Sequence, residues 1–370
     1  MTSPSTSIVR LDGGPIERAR AQIRAAGPRI DTVRAAMLGR LGDSRALLAR
    51  DDARRYLTRM REVLSERDPA AAAEVAVLAD GYGLSYKDLF DALHLAVVAD
   101  HCTVVDGPGD GCTAWAALDS EAGAILAKNR DYGGRWPLPP AVFRIADPAW
   151  GGRTLLCVGS FGAPGAYSSG INDDGLALAD TQIGSLDNGV GLLRYFVMTD
   201  ILANCVDVDA ALARMRAMPH CGGGSLVLAD RHGAMAAVEL GHSTIAVDRG
   251  NGRWVARTNH FTDGALADKT RDDARGQANS LARLRTVRTW LEGNAVTDAS
   301  ARVVMSGHDG PAGMGLCRHG DTPESRTISS AIFRPQLRAM TVADGTPCSS
   351  PWDRYQLDFA PPVGADDVHP

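Results

Sequence analysis

The spacing of apolar residues divides the chain into a helical first part and a strand-rich remainder. Between about Pro15 and Asp100, Ala, Leu and Arg dominate, and apolar residues recur every three to four positions. This is the period of an amphipathic helix, and Gly and Asp-Pro breaks divide it. The pattern predicts helices over residues 16–26, 31–49, 52–65, 69–80 and 86–99.

After Cys112 the pattern changes to that of β-strands. Short apolar runs alternate with turns rich in Asp, Gly and Asn, and helical spacing returns only at 192–217, 278–293 and, more weakly, 298–305. Helices in separate blocks among antiparallel strands favour an α+β layered domain over a doubly wound parallel sheet. The predicted strands, followed by a loop-rich tail, are 113–118, 123–128, 141–146, 153–159, 175–180, 224–229, 234–240, 243–248, 253–258, 327–333 and 337–342.

Composition narrows the class of protein. A chain of 370 residues that is 45% hydrophobic can bury a large core. Its net charge of −5 gives no basic surface for nucleic acid or an anionic membrane, so we expect a small-molecule partner. The start of the chain lacks the pattern of a signal peptide, and no apolar run reaches the roughly 18 residues of a membrane span. We therefore expect a cytoplasmic protein.

Cys112 is the strongest candidate for chemistry. It follows Gly111 at the junction between the helical and strand-rich parts. If the peptide bond before it were cut, one residue would carry both a thiol and an α-amine, with ordinary pKa values of about 8.5 and about 8. Nucleophile and base would then sit together. Glycine at position 111 permits the strained backbone geometry that attack on the preceding carbonyl requires.

A series of motifs carries a family resemblance. Asp110-Gly111-Cys112-Thr113 and Lys128-Asn129-Arg130-Asp131-Tyr132 resemble the start of the catalytic chain in N-terminal-nucleophile hydrolases of the isopenicillin-N acyltransferase group. The resemblance spans roughly residues 85–357. Further matches follow in the same order at 169–177, 228–239, 258–261, 317–319, 327–333 and 345–348.

This resemblance implies a four-layer αββα sandwich that is made as a precursor and cut before Cys112. The products would be a small chain of residues 1–111, the helical segment, and a large catalytic chain of residues 112–370, together one structural unit. We expect them to stay associated, because the amphipathic helices of the first segment must bury their apolar faces against the large chain.

Roles at the site follow from the same resemblance. Cys112 would be the nucleophile and its freed amine the base, with Asp131 orienting that amine. We choose Asn259 as the oxyanion donor, because a carboxamide N–H can stabilise negative charge without titrating. Supporting candidates are Arg130 and Arg326 for holding the Asp131 carboxylate or a substrate carboxylate, and Trp136, Phe161 and Tyr167 for an apolar acyl site.

The function expected from these residues is cleavage or transfer of an acyl group at a carbon–nitrogen amide bond, through a thioester on Cys112 and without a cofactor. Its substrate would be a small-molecule amide or acyl donor. Two alternatives remain open. One is an uncleaved, non-catalytic binding protein of the same fold. The other is a Cys-His acyl enzyme that uses His260 or His319 as base on an intact chain.

Metal binding is not expected from the sequence. The pairs His101-Cys102, His220-Cys221 and Cys317-x-His319 suggest zinc, but neighbouring side chains rarely point at one ion, and the chain has no Cys-x-x-Cys spacing. The seven scattered cysteines do not resemble a disulfide framework either. We expect most of them to be reduced and buried.

Overall fold

Two β-sheets stacked face to face form the centre of the molecule, and helices cover the outer face of each. The computed structural model describes residues 8–104, 111–119, 123–271, 274–310, 314–319 and 325–357. The strands are β1 (Val9–Asp12), β2 (Thr113–Asp119), β3 (Gly123–Tyr132), β4 (Pro140–Ala146), β5 (Thr154–Ser160), β6 (Ser169–Asn172), β7 (Ala177–Thr181), β8 (Ser225–Ala229), β9 (Met235–Leu240), β10 (Ile245–Asp248), β11 (Trp254–Arg257), β12 (Arg326–Arg334), β13 (Ala339–Asp344) and β14 (Trp352–Gln356). The helices are α1 (Pro15–Ala26), α2 (Ile30–Asp43), α3 (Arg45–Leu48), α4 (Asp51–Arg67), α5 (Pro69–Gly81), α6 (Tyr86–His101), α7 (Arg194–Asn204), α8 (Val208–Ala217), α9 (Ala274–Gly293) and α10 (Asp298–Met305).

The strand order separates the two sheets clearly. The first sheet runs β1-β4-β5-β6-β7-β8-β9-β10, and the second runs β11-β2-β3-β12-β13-β14. All strand pairs described are antiparallel except β1 with β4. The α+β class expected from the sequence is therefore confirmed.

Alternation of side chains along the strands builds the layers. On β2, Ala114 and Ala116 point into the space between the sheets, where they pack with Leu126 of β3 and Val158 of β5. The intervening Trp115 points the other way, into a core formed with α9 and α10. A separate core joins α1–α8 to the outer face of the first sheet. The result is the four-layer αββα sandwich.

Several boundaries differ from the sequence expectation. The run 192–217 was expected as one helix, but it divides into α7 and α8 because Asp207 caps the second helix, its Oδ1 accepting a bond of 2.8 Å from the Ala210 N–H. β1, β6 and β14 were not expected. Each has only four or five residues, so each carries little periodicity. Among the described helices, none has both the length and the apolar character needed to cross a bilayer.

The hairpin of β2 and β3 sets the position of the candidate nucleophile. The short turn between the predicted strands 113–118 and 123–128 indicates a hairpin, and the strands pair antiparallel with Thr113 opposite Asn129. Cys112 and Asp131 therefore lie at the same end of the second sheet. The turn residues 120–122 at the far end, and Asp110 of the first motif, lie outside the described residues.

A buried ion cluster ties the N-terminal segment to the first sheet. Arg18 of α1 contacts the Glu74 carboxylate of α5 at 2.7 Å and also pairs with Asp147, which follows β4. All three side chains are buried. Because charges removed from water are tolerated only when they are paired, this cluster depends on each of its members.

We predict that Arg18→Met lowers the free energy of unfolding by about 3–5 kcal/mol, because it leaves two buried carboxylates without their partner. Chemical denaturation followed by circular dichroism measures the change. Arg20→Met, on the exposed side of the same helix, is the control and should change it by less than about 0.5 kcal/mol. Equal effects of the two variants would show that the cluster contributes no more than a surface arginine.

Candidate active site

Cys112 lies immediately before β2 and is almost buried, with 5% of its surface exposed. Its thiol donates a weak hydrogen bond to the main-chain oxygen of Asp131, with a sulfur–oxygen distance of 3.8 Å. The thiol is thus held at the end of β3 by the hairpin register rather than by a loop.

The Asp131 carboxylate is buried and held by residues from two other segments. Its Oδ1 accepts a bond of 2.7 Å from the Thr327 hydroxyl of β12, and its Oδ2 lies 3.9 Å from Nη1 of Arg318. The backbone N–H of Arg318 in turn donates to the Thr327 hydroxyl oxygen at 2.9 Å. Thr327 and Arg318 therefore position the carboxylate together.

Gly111 packs directly against this carboxylate. A Cβ atom added to Gly111 would overlap Arg318 Nη1 and lie 2.8 Å from Asp131 Oδ2 and 3.2 Å from the Ser325 hydroxyl. Real Cβ atoms essentially never approach so closely. Lack of space therefore favours glycine at position 111. This reason is separate from the backbone freedom considered in the sequence analysis.

Asn259 lies two residues after the end of β11, and its side chain is held by hydrogen bonds. Its Nδ2 donates to the main-chain oxygen of Gln182 at 2.7 Å, and its Oδ1 accepts from Arg283 at 2.8 Å. Its backbone N–H donates to the Ser280 hydroxyl at 2.7 Å. Three contacts thus set both the place and the rotation of the carboxamide.

Arg283 of α9 links Asn259 to Cys112. Besides its bond to Asn259, it donates to the Cys112 main-chain oxygen at 2.5 Å and to the Thr113 hydroxyl at 2.9 Å. Only 1% of its surface is exposed. The sequence reasoning missed this residue. The available signal was its place beside Leu284 and Val287 in the buried stripe of an otherwise arginine-rich amphipathic helix.

A buried charge network lies behind Asn259. Lys128 of β3 and Arg194 of α7 both bind the Asp180 carboxylate, and Arg194 also donates to the Gln182 side chain at 2.8 Å. Burial works to raise the pKa of Asp180, but the two cations outweigh it and hold that pKa below its usual range. This ionised network fixes the loop whose main-chain oxygen receives Asn259.

Arg130 and Arg326 were expected to hold the Asp131 carboxylate, but neither does so in the structure. Arg130 points to the opposite face of β3, where it donates to the Gly159 oxygen at 3.1 Å and the Ser160 hydroxyl at 3.0 Å. Arg326 is exposed at the start of β12. Side-chain alternation explains both results, and the arginine beside the carboxylate is Arg318.

The three aromatic candidates separate. Phe161 lies in the core between the helices and the first sheet, edge-on to Phe143. Trp136 packs on α2, where its indole N–H donates to Asp43 at 2.8 Å. Tyr167 lies beside β3, with its ring 5.3 Å from the Arg130 guanidinium.

The two histidines of the alternative mechanism have other partners. His260 is buried with its Nδ1 2.7 Å from the Ser280 hydroxyl, and burial lowers its pKa to about 4. The Nε2 atom of His319 lies 2.9 Å from the Nε2 atom of His308 and 3.5 Å from the Cys348 sulfur.

Cys317 lies close to His308, His319 and Cys348. The expectation that the Cys317 and His319 side chains would not point at one site is therefore wrong. The ligand atoms of His308, Cys317, His319 and Cys348 all lie within 4.8 Å of one another. Side chains two positions apart can point to the same side when the chain is not helical. The segment from Cys317 to His319 is not helical.

We predict that Arg283→Met lowers the free energy of unfolding by at least about 2 kcal/mol, because each buried acceptor left without a donor costs about 1–3 kcal/mol. Urea denaturation of the full chain measures it. Arg285→Met, exposed on the same helix, serves as the control and should stay within about 0.5 kcal/mol of the unmodified chain. A neutral Arg283→Met would mean that these contacts do not hold the site together.

Comparisons with known proteins place this geometry in a family. The family model described as acyl-coenzyme A:6-aminopenicillanic acid acyl-transferase matches residues 119–348, a range that starts after Cys112 and contains Asp131, Asn259 and Arg283. Among curated proteins, no sequence matches.

Solved structures with a similar arrangement include a hydrolase and an acylase. A variant of the conjugated bile acid hydrolase from Clostridium perfringens shares 11% identity, with 69% of this chain and 100% of that chain covered and a TM-score of 0.46. Penicillin V acylase from Agrobacterium tumefaciens shares 14% identity, with 69% and 90% covered and a TM-score of 0.38. Because the family model spans well over half of the sequence, this chain belongs to the acyl-coenzyme A:6-aminopenicillanic acid acyl-transferase family.

Proposed function

We propose that the protein is a cysteine amidohydrolase or acyltransferase that activates itself by cutting the bond between Gly111 and Cys112. The observation that carries this proposal is the packing of that bond against a buried carboxylate. Gly111 abuts Asp131 and Arg318, while the Cys112 thiol lies 3.8 Å from the Asp131 main-chain oxygen. A nucleophile, a scissile bond and a charge that can receive a new ammonium therefore meet at one sheet end.

Self-cleavage requires only groups already present. The Cys112 sulfur attacks the Gly111 carbonyl carbon, a carbon–sulfur bond forms, the carbon–nitrogen bond breaks, and the thiol proton passes to the nitrogen. Water then hydrolyses the thioester, which gives a carboxylate on Gly111 and restores the thiol on Cys112. The products are residues 1–111 and residues 112–370.

The freed α-amine becomes the base of the mature site. This amine is the backbone nitrogen of Cys112, and the preceding residue, Gly111, packs against the Asp131 carboxylate. A carboxylate beside an ammonium favours its charged form and orients it, while the neutral amine can accept the thiol proton. Asp131, positioned by Thr327 and Arg318, would thus orient the base rather than react itself.

The contacts of the Asn259 carboxamide support its assignment as the oxyanion donor. A carboxamide has two N–H bonds, and the contact with Gln182 uses one of them. Arg283 holds the carboxamide oxygen, so the orientation of the NH₂ group is fixed before substrate arrives. A donor that needs no reorganisation is the kind that stabilises a tetrahedral intermediate most effectively.

The catalytic cycle follows from these roles. The Cys112 sulfur attacks the acyl carbonyl of a small-molecule amide, Asn259 donates to the oxyanion, and the α-ammonium protonates the departing amine. The acyl group remains on sulfur as a thioester. Water releases it in hydrolysis, and a second amine takes it in transfer. The matching family is described as an acyl-transferase that pairs acyl-coenzyme A with 6-aminopenicillanic acid, and we propose the same general class of acyl donor and amine here.

The small and large chains would remain together after cleavage. β1 pairs with β4 along four residues, and the helices before Cys112 share one core with the first sheet. Polar contacts add to this, since Tyr56 donates to the Gly189 oxygen at 2.9 Å and Arg271 binds the Asp100 carboxylate. Separating the chains would expose the part of this core that lies between the first six helices and the large chain.

The geometry favours the α-amine over a histidine as base. His260, with its pKa lowered to about 4, is a weak proton acceptor at neutral pH. His319 is engaged with His308 and Cys348.

Variants of Cys112 test the self-cleavage. We predict that Cys112→Ala stays as one inactive chain, because both the attacking atom and the release of the α-amine are lost. Cys112→Ser should cleave slowly, since a hydroxyl can make the same attack but is far less ionised than a thiol. Denaturing gels over time measure both. Cys205→Ala, a buried cysteine at the end of α7, is the control and should cleave at the normal rate. Undiminished cleavage of Cys112→Ala would overturn the mechanism.

Asn259→Ala should leave the fold intact and slow acyl transfer by about 10²- to 10³-fold, the usual effect of losing one oxyanion donor. The assay uses the processed variant with acyl-coenzyme A donors and 6-aminopenicillanic acid, and with N-acyl amides and water, on whichever pair the unmodified protein turns over. Asn251→Ala, an exposed turn residue before β11, is the matched control. Normal turnover by processed Asn259→Ala would place the donor elsewhere.

A further inference from the structure

A second group of reactive side chains lies apart from the nucleophile. It consists of His308 after α10, Cys317 and His319 in the segment 314–319, and Cys348 after β13. We call these four residues the thiol–imidazole cluster. Cys317 is buried and the other three are exposed. The proposed acyl chemistry uses none of them.

Their spacing fits a small ion. The four ligand atoms lie within 4.8 Å of one another, with 2.9 Å between the two imidazole Nε2 atoms and 3.5 Å from His319 Nε2 to the Cys348 sulfur. In a tetrahedral zinc site, bonds of about 2.0–2.1 Å to nitrogen and about 2.3 Å to sulfur place ligand atoms roughly 3.3–3.8 Å apart. Side-chain rotation alone can make up the difference.

The donor set selects the kind of metal. Two thiolates and two imidazoles in a tetrahedron suit zinc, whereas magnesium and calcium prefer oxygen ligands. Binding would displace the protons of Cys317 and Cys348, so two thiolates would balance the charge of the ion. We propose that His308, Cys317, His319 and Cys348 form a Zn²⁺ site that joins the segment after α10, the segment 314–319 and the loop after β13.

Four protein ligands make the site structural rather than catalytic. Catalytic zinc keeps a position open for water or substrate, and this set closes all four. The expected role is to hold the segment 314–319 in place.

That segment is also the one that supports the candidate active site. Arg318, between the two ligands Cys317 and His319, reaches Asp131 with its side chain and Thr327 with its backbone N–H. On the other side of Cys317, the Leu316 carbonyl accepts a bond of 2.8 Å from the Asn129 side chain. Zinc would therefore fix the backbone that places Arg318 beside the carboxylate.

A disulfide between Cys317 and Cys348 is the competing outcome, because their sulfur atoms also lie within 4.8 Å. It would involve only the two thiols and leave His308 and His319 as a hydrogen-bonded pair. Zinc accounts for all four side chains.

The experiment measures metal in the full chain, produced with Zn²⁺ in the growth medium and passed through a weak chelator. We expect about one zinc per chain by elemental analysis. We also expect the intense visible absorption of tetrahedral, thiolate-bound Co²⁺ when Co²⁺ replaces the zinc. Cys348→Ser and His308→Gln should weaken Zn²⁺ affinity by more than the roughly 10- to 100-fold that loss of a partner outside the ligand shell costs. Cys205→Ser and exposed His232→Gln are the matched controls and should retain the metal.

Zinc content equal in the ligand variants and the controls would overturn the proposal. So would a Cys317–Cys348 disulfide in the purified protein, detected when both thiols resist alkylation in denaturant with a strong chelator and react only after a reductant is added. These readouts depend neither on turnover nor on cleavage at Gly111, so they remain decisive if the proposed acyl chemistry fails.

Discussion

The burial of the Asp131 carboxylate beside the Gly111–Cys112 bond is the constraint on which the site depends. A charge taken out of water must be paired or hydrogen-bonded, and here Thr327 and Arg318 provide the contacts from two different segments. Meeting that requirement fixes the register of β12 against β3 and the course of the segment around Arg318. It also leaves no space for a side chain at position 111.

Arg283 plays the corresponding part on the other side of Cys112. As a planar group with several donors, it can bind the Cys112 oxygen, the Thr113 hydroxyl and the Asn259 side chain at once. A lysine could not reproduce this fork. The placement of Asn259 relative to Cys112 is therefore constrained by one side chain on α9, which the outer core anchors to the second sheet.

The sequence predicted the parts of the molecule in which local pattern and tertiary packing agree. The N-terminal helices and the β2–β3 hairpin belong to this class, although the predicted helix 31–49 divides into α2 and α3. The hairpin was sufficient to bring Cys112 and Asp131 to one end. Roles that depend on contacts between distant segments could not be obtained in this way. Arg326 is exposed because it alternates with Thr327 along β12, whereas Arg318 reaches Asp131 from the irregular segment 314–319. Arg283 becomes important only when α9 packs on β2. Likewise, the four residues of the thiol–imidazole cluster converge from three segments that no short spacing motif connects.

The intact mass of the denatured wild-type protein tests the central claim most directly. Our account requires two masses in equal amounts, one of a fragment that begins at Cys112 with a free α-amine and one of a fragment that ends at Gly111. A single mass for the uncut chain in a preparation that hydrolyses or transfers acyl groups would contradict it, because Cys112 could then not supply its own base.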